Sequence, residues 1–190
     1  MSSCRLNRVA RLLPLLLCVG LIVLCARLPA LPLGPVPVTL QSFAVILAGA
    51  VLGPWRGALA VLLYLGLGLA GAPVFSGGAA GVAVLNGASA GYLLAFPLLA
   101  LLGGGLVWRV MPAGSTPRPR WLFACGLASS VLVLHPLGIA GLVRALEITP
   151  LQALSIDLRY WPGDVLKNAL MAVLASAVHR RWPGLRHGQT

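Results

Sequence analysis

Two ionisable side chains lie close together within an apolar part of the chain. Asp164 and Lys167 are three residues apart and Asn168 follows, so on a helix the three side chains share one face. A charge exposed to lipid is costly, and an intramembrane charged pair is therefore a candidate functional site. A structural alternative stays open, because Asp164 follows Pro162-Gly163 and could cap the helix with Lys167 as its partner.

A second candidate is an uncharged, glycine-rich stretch that includes Phe75, Gly77 and Gly78 and continues through Asn86 to Tyr92. Glycine permits positive φ and close approach of the backbone to a ligand. Such a stretch can line or cover a cavity at membrane depth. A flexible connector would have the same composition, so both interpretations remain.

The motifs give little support to enzymatic chemistry. Lys167 is the only lysine and precedes an asparagine, so the chain has no GxxxxGK[ST] phosphate-binding loop. No HExxH or GxSxG motif is present, and the four cysteines have no CxxC spacing, so no metal or cofactor is predicted. His135 precedes Pro136 and is interpreted as a packing or kink residue, with a position facing a cavity as the alternative.

The composition indicates that a lipid bilayer surrounds these residues. Of 190 residues, 59% are hydrophobic and 9% are charged, and the mean hydropathy is +0.96. These values predict one all-α integral membrane domain over residues 1–190. The chain has 14 Lys and Arg against 3 Asp and Glu, but the basic residues are dispersed, so nucleic-acid binding is not expected.

Six apolar segments approach the roughly 20 residues that a membrane-spanning helix needs. They are predicted at residues 12–31, 38–52, 57–71, 88–107, 121–142 and 161–178, with a tight turn at 53–56. The first could be a secretory signal peptide, but its length, Arg27, Pro29 and the later segments favour a retained helix. Thr149-Pro150-Leu151-Gln152 is a capping box with proline at the first helical position, which predicts a short surface helix before the last span.

The arginines are unevenly divided between the two sides that six spans define. Arg27, Arg144 and Arg159 lie on one side; the other ten lie on the side of the termini, at positions 5, 8, 11, 56, 109, 118, 120, 180, 181 and 186. Because basic loops stay on the cytoplasmic side, both termini are predicted to be cytoplasmic. We therefore expect a multi-pass protein of the cytoplasmic membrane, in contact with lipid.

Three stretches of the chain resemble one family of membrane proteins. The run PVPVTLQSFAVILAGAVLGPWRGALAVLLYLGLGLAGAPVFSGG at residues 35–78 is long and specific, and NGASAGYLLAFPL and WPGDVLKNAL follow at 86–98 and 161–170. They are similar to the signature of the BioY family, the biotin-specific substrate-capture (S) components of energy-coupling-factor (ECF) transporters. The resemblance implies a six-helix S-component bundle whose site lies near the outer face, under the loops that follow helices 1 and 3.

The resemblance also implies which residues bind ligand. The family's D-x-x-K falls on Asp164 and Lys167 and its T-L-Q on residues 39–41, whereas Ala88 and Ala90 replace a proline and a glycine of its loop motif. Biotin has a ureido group, an apolar ring system and a carboxylate, which acidic, amide, basic and aromatic side chains could meet. The predicted biotin site comprises Thr39, Gln41, Phe75, Gly77, Gly78, Asn86, Tyr92, Asp164, Lys167 and Asn168.

The partners that the resemblance implies are a transmembrane coupling subunit and two ATPase subunits. S components that share a coupling module have alanines four apart on helix 1, but positions 10, 14, 18, 22 and 26 are here Ala, Pro, Cys, Ile and Ala. A dedicated module, or solitary or oligomeric operation, therefore remains open. So do two other functions: an S component or small carrier for another vitamin, and a non-transporting membrane enzyme or scaffold.

Overall fold

The computed structural model describes residues 2–111 and 117–182, with side chains from residue 12 onward. The predicted cytoplasmic Arg186 and the side chains of Arg5, Arg8 and Arg11 lie outside this part. Within it the fold is all-helical, as predicted. Its seven helices are α1 (Ser2–Arg27), α2 (Gln41–Leu52), α3 (Pro54–Leu69), α4 (Ala90–Val110), α5 (Pro119–Leu146), α6 (Pro150–Asp157) and α7 (Trp161–Arg181).

Each predicted apolar segment overlaps a helix, but several ends differ from the prediction. α1 ends at Arg27 because the chain then turns and Leu31 pairs with Val38 in an isolated antiparallel bridge. α3 begins at Pro54, since proline suits the first helical position. The break between α2 and α3 is consequently Gly53 alone, with φ of 85°, and is shorter than the predicted turn.

Two helices in the described ranges are both long and apolar enough to span a membrane, namely α4 with 21 residues and α5 with 28. The stretch Leu12–Arg27, α2 and α3 are apolar but shorter. α7 has 21 residues and carries charged side chains at both ends. The six-span count and the orientation of the termini stay predictions.

α2 lies at the centre of the bundle, where it packs against α1, α3, α4 and α7. Close approach depends on glycine: a Cβ on Gly57 would lie 2.5 Å from the Cα of Gly49, and one on Gly141 would lie 2.6 Å from the Cα of Gly91. Small residues at such contacts let helix backbones pack closely in a bilayer. Leucines remain exposed on the outer helix faces, as at Leu17, which is 64% exposed.

α5 contains a π-helical segment, Ser130–Leu134, between two α-helical halves. The backbone N–H of His135 donates to the carbonyl of Ser130, five residues earlier. The hydroxyl groups of Ser129 and Ser130 bond to carbonyls four residues back, at 2.6 and 3.2 Å, which favours bending here. The helix therefore continues through Pro136.

The predicted capping box is confirmed at the start of α6. The side chain of Thr149 accepts from the backbone N–H of Gln152 at 3.3 Å, and the side-chain oxygen of Gln152 accepts from the backbone N–H of Thr149 at 2.9 Å. α6 folds back against the second half of α5. This return brings Asp157, at the end of α6, into the bundle.

Candidate functional site

A cavity of about 140 Å³ lies where the starts of α2, α4 and α7 meet the middle of α5. The connections between α1 and α2 and between α3 and α4 complete its wall. Much of the lining is apolar, including Val38, Phe75, Leu93, Phe96 and Leu134. Its polar side chains are Thr39, Gln41, Ser42, Ser76, Ser89, Tyr92, Tyr160, Asp164 and Lys167.

Asp164 and Lys167 form a buried ion pair on this wall. The Nζ of Lys167 lies 2.9 Å from Oδ1 of Asp164, and the two side chains are 11% and 7% exposed. Ser42 on α2 joins them, since its hydroxyl lies 3.3 Å from Asp164 Oδ1 and 3.2 Å from Lys167 Nζ. No side chain caps the start of α7. The carboxylate therefore compensates a cation and faces the cavity instead of capping the helix.

The start of α2 presents an oriented amide. The hydroxyl of Thr39 donates to Oε1 of Gln41 at 3.0 Å, and Nε2 of Gln41 donates to the hydroxyl of Tyr64 at 2.7 Å. Tyr64 in turn packs edge-on against Phe75, with ring centroids 5.5 Å apart. One donor and one acceptor position of the Gln41 amide remain for a ligand.

Two connecting segments cover the cavity, and each is held to another part of the bundle by hydrogen bonds. The backbone N–H of Val36, before α2, donates to the hydroxyl of Tyr160 at 3.3 Å. Arg27 at the end of α1 donates to the carbonyl of Pro73 at 3.1 Å, in the connection between α3 and α4. Gly77 and Gly78, with φ of 67° and 81°, turn this connection so that Phe75 and Ser76 line the cavity.

The structure brings six of the ten predicted site residues together around the cavity. They are Thr39, Gln41, Phe75, Tyr92, Asp164 and Lys167. Gly77 and Gly78 shape the covering segment without lining the cavity. Asn86 lies on a separate cavity of about 210 Å³ between the α3–α4 connection, α4 and α5. Asn168 lies behind the site, where its Nδ2 donates to Ser130 Oγ at 3.1 Å and to the Asp164 carbonyl at 2.8 Å.

A fully buried carboxylate beside the cavity was not predicted. Asp157 accepts from the Tyr92 hydroxyl at 2.7 Å, from Trp161 Nε1 at 2.9 Å and from His135 Nδ1 at 3.1 Å. Burial alone raises the pKa of Asp157, but the hydrogen bonds from His135, Tyr92 and Trp161 hold it below its usual range. Asp157 is therefore ionised.

His135 links this carboxylate to the ion pair. Its Nε2 lies 3.8 Å from Asp164 Oδ2, and its ring stacks on Trp161 with centroids 4.6 Å apart. Ser42 and Tyr160 are two further neighbours of the cavity that the sequence analysis missed. The available signal was the scarcity of acidic residues: Asp157 and Asp164 are two of only three in the chain.

This arrangement suits a small ligand with both polar and apolar parts. The carboxylate of Asp164 can accept N–H donors, Lys167 can donate to a carbonyl or a carboxylate, and Gln41 can do either. Phe75 and Phe96 offer an apolar surface. Among the described residues, no group of three or more His, Cys, Asp or Glu side chains is placed to hold a metal ion.

Comparison with known proteins gives consistent matches over most of the chain. The model of the BioY family matches residues 2–184. The "Biotin transporter BioY" of Rhodobacter capsulatus is 36% identical over 177 residues, which cover 86% of this chain and 90% of that protein. The protein of the same name from Rhizobium etli is 35% identical over 168 residues, with the same coverage.

A solved structure also matches the fold. It is a crystal structure of the S-component for biotin from an ECF-type ABC transporter. The TM-score is 0.86 at 29% sequence identity, and the match covers 92% of this chain and 93% of the other. The similarity thus extends to the arrangement of the helices.

Proposed function

Since the chain belongs to the BioY family, we propose that it binds biotin in the cavity beside Asp164 and Lys167 and serves its uptake as the S component of an ECF-type transporter. The observation that carries this proposal is the ion pair on the wall of an otherwise largely apolar cavity. Relatives with 35–36% identity over most of the chain are named biotin transporters, which supports the same ligand.

The polar groups of the cavity complement those of biotin. The ureido group of biotin has two N–H donors and one carbonyl, and a carboxylate ends its side chain. Asp164 can accept ureido N–H groups, while Lys167 donates to the ureido carbonyl or pairs with the ligand carboxylate. Gln41 and Tyr92 line the same space and offer further polar contacts.

The apolar part of the cavity complements the fused rings. Phe75 is 2% exposed and Phe96 is 4% exposed, so both rings are held by the surrounding bundle. Burying the thiophane ring against such walls removes apolar surface from water and favours binding. The covering segments that carry Val36 and Phe75 would close over the ligand.

Transport needs energy from elsewhere, because this chain lacks the phosphate-binding loop of an ATPase. A transmembrane coupling subunit and two ATPase subunits are the proposed partners, with solitary or oligomeric operation as the alternative. The proposed location is the cytoplasmic membrane of a prokaryote, with six crossings and both termini in the cytoplasm. Thr39, Asn86, Asn168, Gly77 and Gly78 remain proposed contributors to the site.

Equilibrium binding of radiolabelled biotin to the detergent-purified protein tests the proposal. We expect saturable binding below micromolar concentration that unlabelled biotin displaces and unlabelled thiamine does not. Monodisperse elution on size exclusion shows that the sample is folded. A folded sample without saturable binding in that range would refute biotin as the ligand.

A further inference from the structure

We infer that His135 and Asp157 are positioning residues of the biotin site: a protonated His135, held by Asp157, fixes the carboxylate of Asp164 from the side opposite Lys167. This inference rests on the proposed function and deepens it. Neither residue lines the cavity, so neither would contact the ligand directly.

Asp157 determines which ring nitrogen of His135 carries a proton. An ionised carboxylate only accepts hydrogen bonds, and Asp157 lies within reach of three donors, on Tyr92, Trp161 and His135. Nδ1 of His135 must therefore be the N–H donor in its contact of 3.0–3.1 Å. Stacking on Trp161, with an interplanar angle of 20°, fixes the plane of the ring.

The second ring nitrogen then faces Asp164. Nε2 lies 3.8 Å from Asp164 Oδ2, which is an ion-pair distance and longer than a hydrogen bond. A neutral ring with its proton on Nδ1 would direct the Nε2 lone pair at this carboxylate. The imidazolium directs an N–H at it instead, so the geometry favours the protonated ring.

The charges of the cluster lead to the same conclusion. The titratable groups around His135 are Asp157 from α6, Asp164 and Lys167 from α7, and Tyr92 from α4. With His135 neutral, two carboxylates are opposed by one ammonium group; a proton on His135 makes the cluster neutral. Because all four charged side chains are at most 11% exposed, such compensation is needed to keep the carboxylates ionised.

The inferred role has two consequences for binding. Lys167 holds Oδ1 of Asp164 and His135 attracts Oδ2, so the carboxylate is kept in one orientation for the ligand. The positive charge of His135 also offsets the carboxylate that biotin brings. Loss of this proton at higher pH should therefore weaken binding.

One variant separates the two contacts of His135, and a second variant is its control. In His135→Asn the side-chain amide can replace the Nδ1 donor to Asp157, but it carries neither Nε2 nor a charge. We expect biotin affinity to fall ten- to hundredfold, with little change in the Tm of the ligand-free protein. The same range applies at metal sites, where residues that orient the metal ligands are removed. His179→Asn is the matched control, because His179 is also buried but bonds to the Ala50 carbonyl away from the cavity, at 2.9 Å.

The pH dependence of biotin affinity distinguishes this role from a purely structural one, because a purely structural role would not produce it. Wild-type affinity should fall as the pH rises and His135 loses its proton, by at most roughly tenfold per pH unit for one linked proton. The profile of His135→Asn should be flat, and that of His179→Asn should follow the wild type.

Each outcome decides the inference. A flat wild-type profile overturns it even if His135→Asn does not fold, and so does a His135→Asn variant that binds biotin as tightly as wild type. A wild-type protein that binds no biotin at any pH instead refutes the proposed function.

Discussion

Replacing Asp164 with asparagine tests whether the ion pair binds ligand or only stabilises the bundle. The substitution keeps the shape of the side chain but removes its charge and turns one acceptor oxygen into a donor. Oδ1 of Asp164 lies within 3.3 Å of both Lys167 Nζ and Ser42 Oγ. The amide oxygen should therefore turn toward these donors, which leaves the NH₂ group where a ureido N–H would need an acceptor.

The expected loss of affinity follows from that mismatch. An unpaired buried donor costs roughly 1–3 kcal/mol, which corresponds to an increase in Kd of roughly 5- to 150-fold. The free energy of unfolding should fall by less than the roughly 3–5 kcal/mol that the loss of one partner costs in a deeply buried ion pair. Lys167 retains its contact with the Ser42 hydroxyl at 3.2 Å and borders a cavity that water can enter.

The assay measures binding and stability on the same preparations. Radiolabelled biotin gives Kd, and thermal unfolding with and without biotin shows whether ligand still stabilises the protein. Glu147→Gln is a control that also removes one acidic charge, but at an exposed position away from the cavity. We expect it to bind biotin and to be stabilised by biotin as the wild type is.

Two results would refute the reasoning. Asp164→Asn that binds biotin like wild type would show that the carboxylate does not meet the ligand. An Asp164→Asn variant that is unfolded before ligand is added would show that the ion pair has a structural role. In that case the double variant Asp164→Asn, Lys167→Met should recover stability, because it no longer leaves an unpaired buried cation.

Three further predictions concern the covering segment, the helix packing and the topology. Gly78→Val should weaken biotin binding more than it lowers expression, because φ is 81° and a Cβ would lie 2.8 Å from the Arg27 guanidinium; equal losses would indicate a folding role. Gly91→Val should lower the Tm, since a Cβ there would collide with the α5 backbone, and an unchanged Tm would contradict the packing. Cysteines introduced at Ala79 and Gln189 should react with impermeant reagents from opposite sides, and labelling from the same side would contradict the six-span topology.

The helices could largely be predicted because their signals are local. Apolar runs and the capping box at Thr149 depend on neighbouring residues only, and both gave helices at the expected places. The end of α1 could not be predicted in this way. It depends on Leu31 pairing with Val38 across the turn that follows α1, a contact that the apolar pattern does not indicate.

The site could be predicted in part. Asp164 and Lys167 are one helical turn apart, and the structure has them in contact. Asn168 shares that spacing, but its side chain turns toward α5, where Gly126 leaves room for it. Helical spacing alone does not tell which side of a shared face meets a cavity and which meets another helix.

The cluster around Asp157 could not be predicted from local sequence patterns. His135 and Asp157 are separated by 22 residues and meet only because α6 folds back against α5. His135 itself was noticed, as a packing or kink residue next to Pro136 or, alternatively, as a residue facing a cavity. Its two carboxylate neighbours became visible only once the packing of the last three helices was known.

The π-helical segment of α5 makes the number of residues in this helix part of the site. The His135 N–H donates to the carbonyl five residues back, so this segment holds one residue more than a regular helical turn. Deleting one of Val131–Val133 would make the same bond a regular one of four residues, and Ser130 and His135 would still meet Asn168 and Asp157. A one-residue deletion in either α-helical half would instead rotate part of that half by roughly 100°. Differences in the length of α5 should therefore be tolerated in evolution at Val131–Val133, which are at least partly exposed, and not in the two halves.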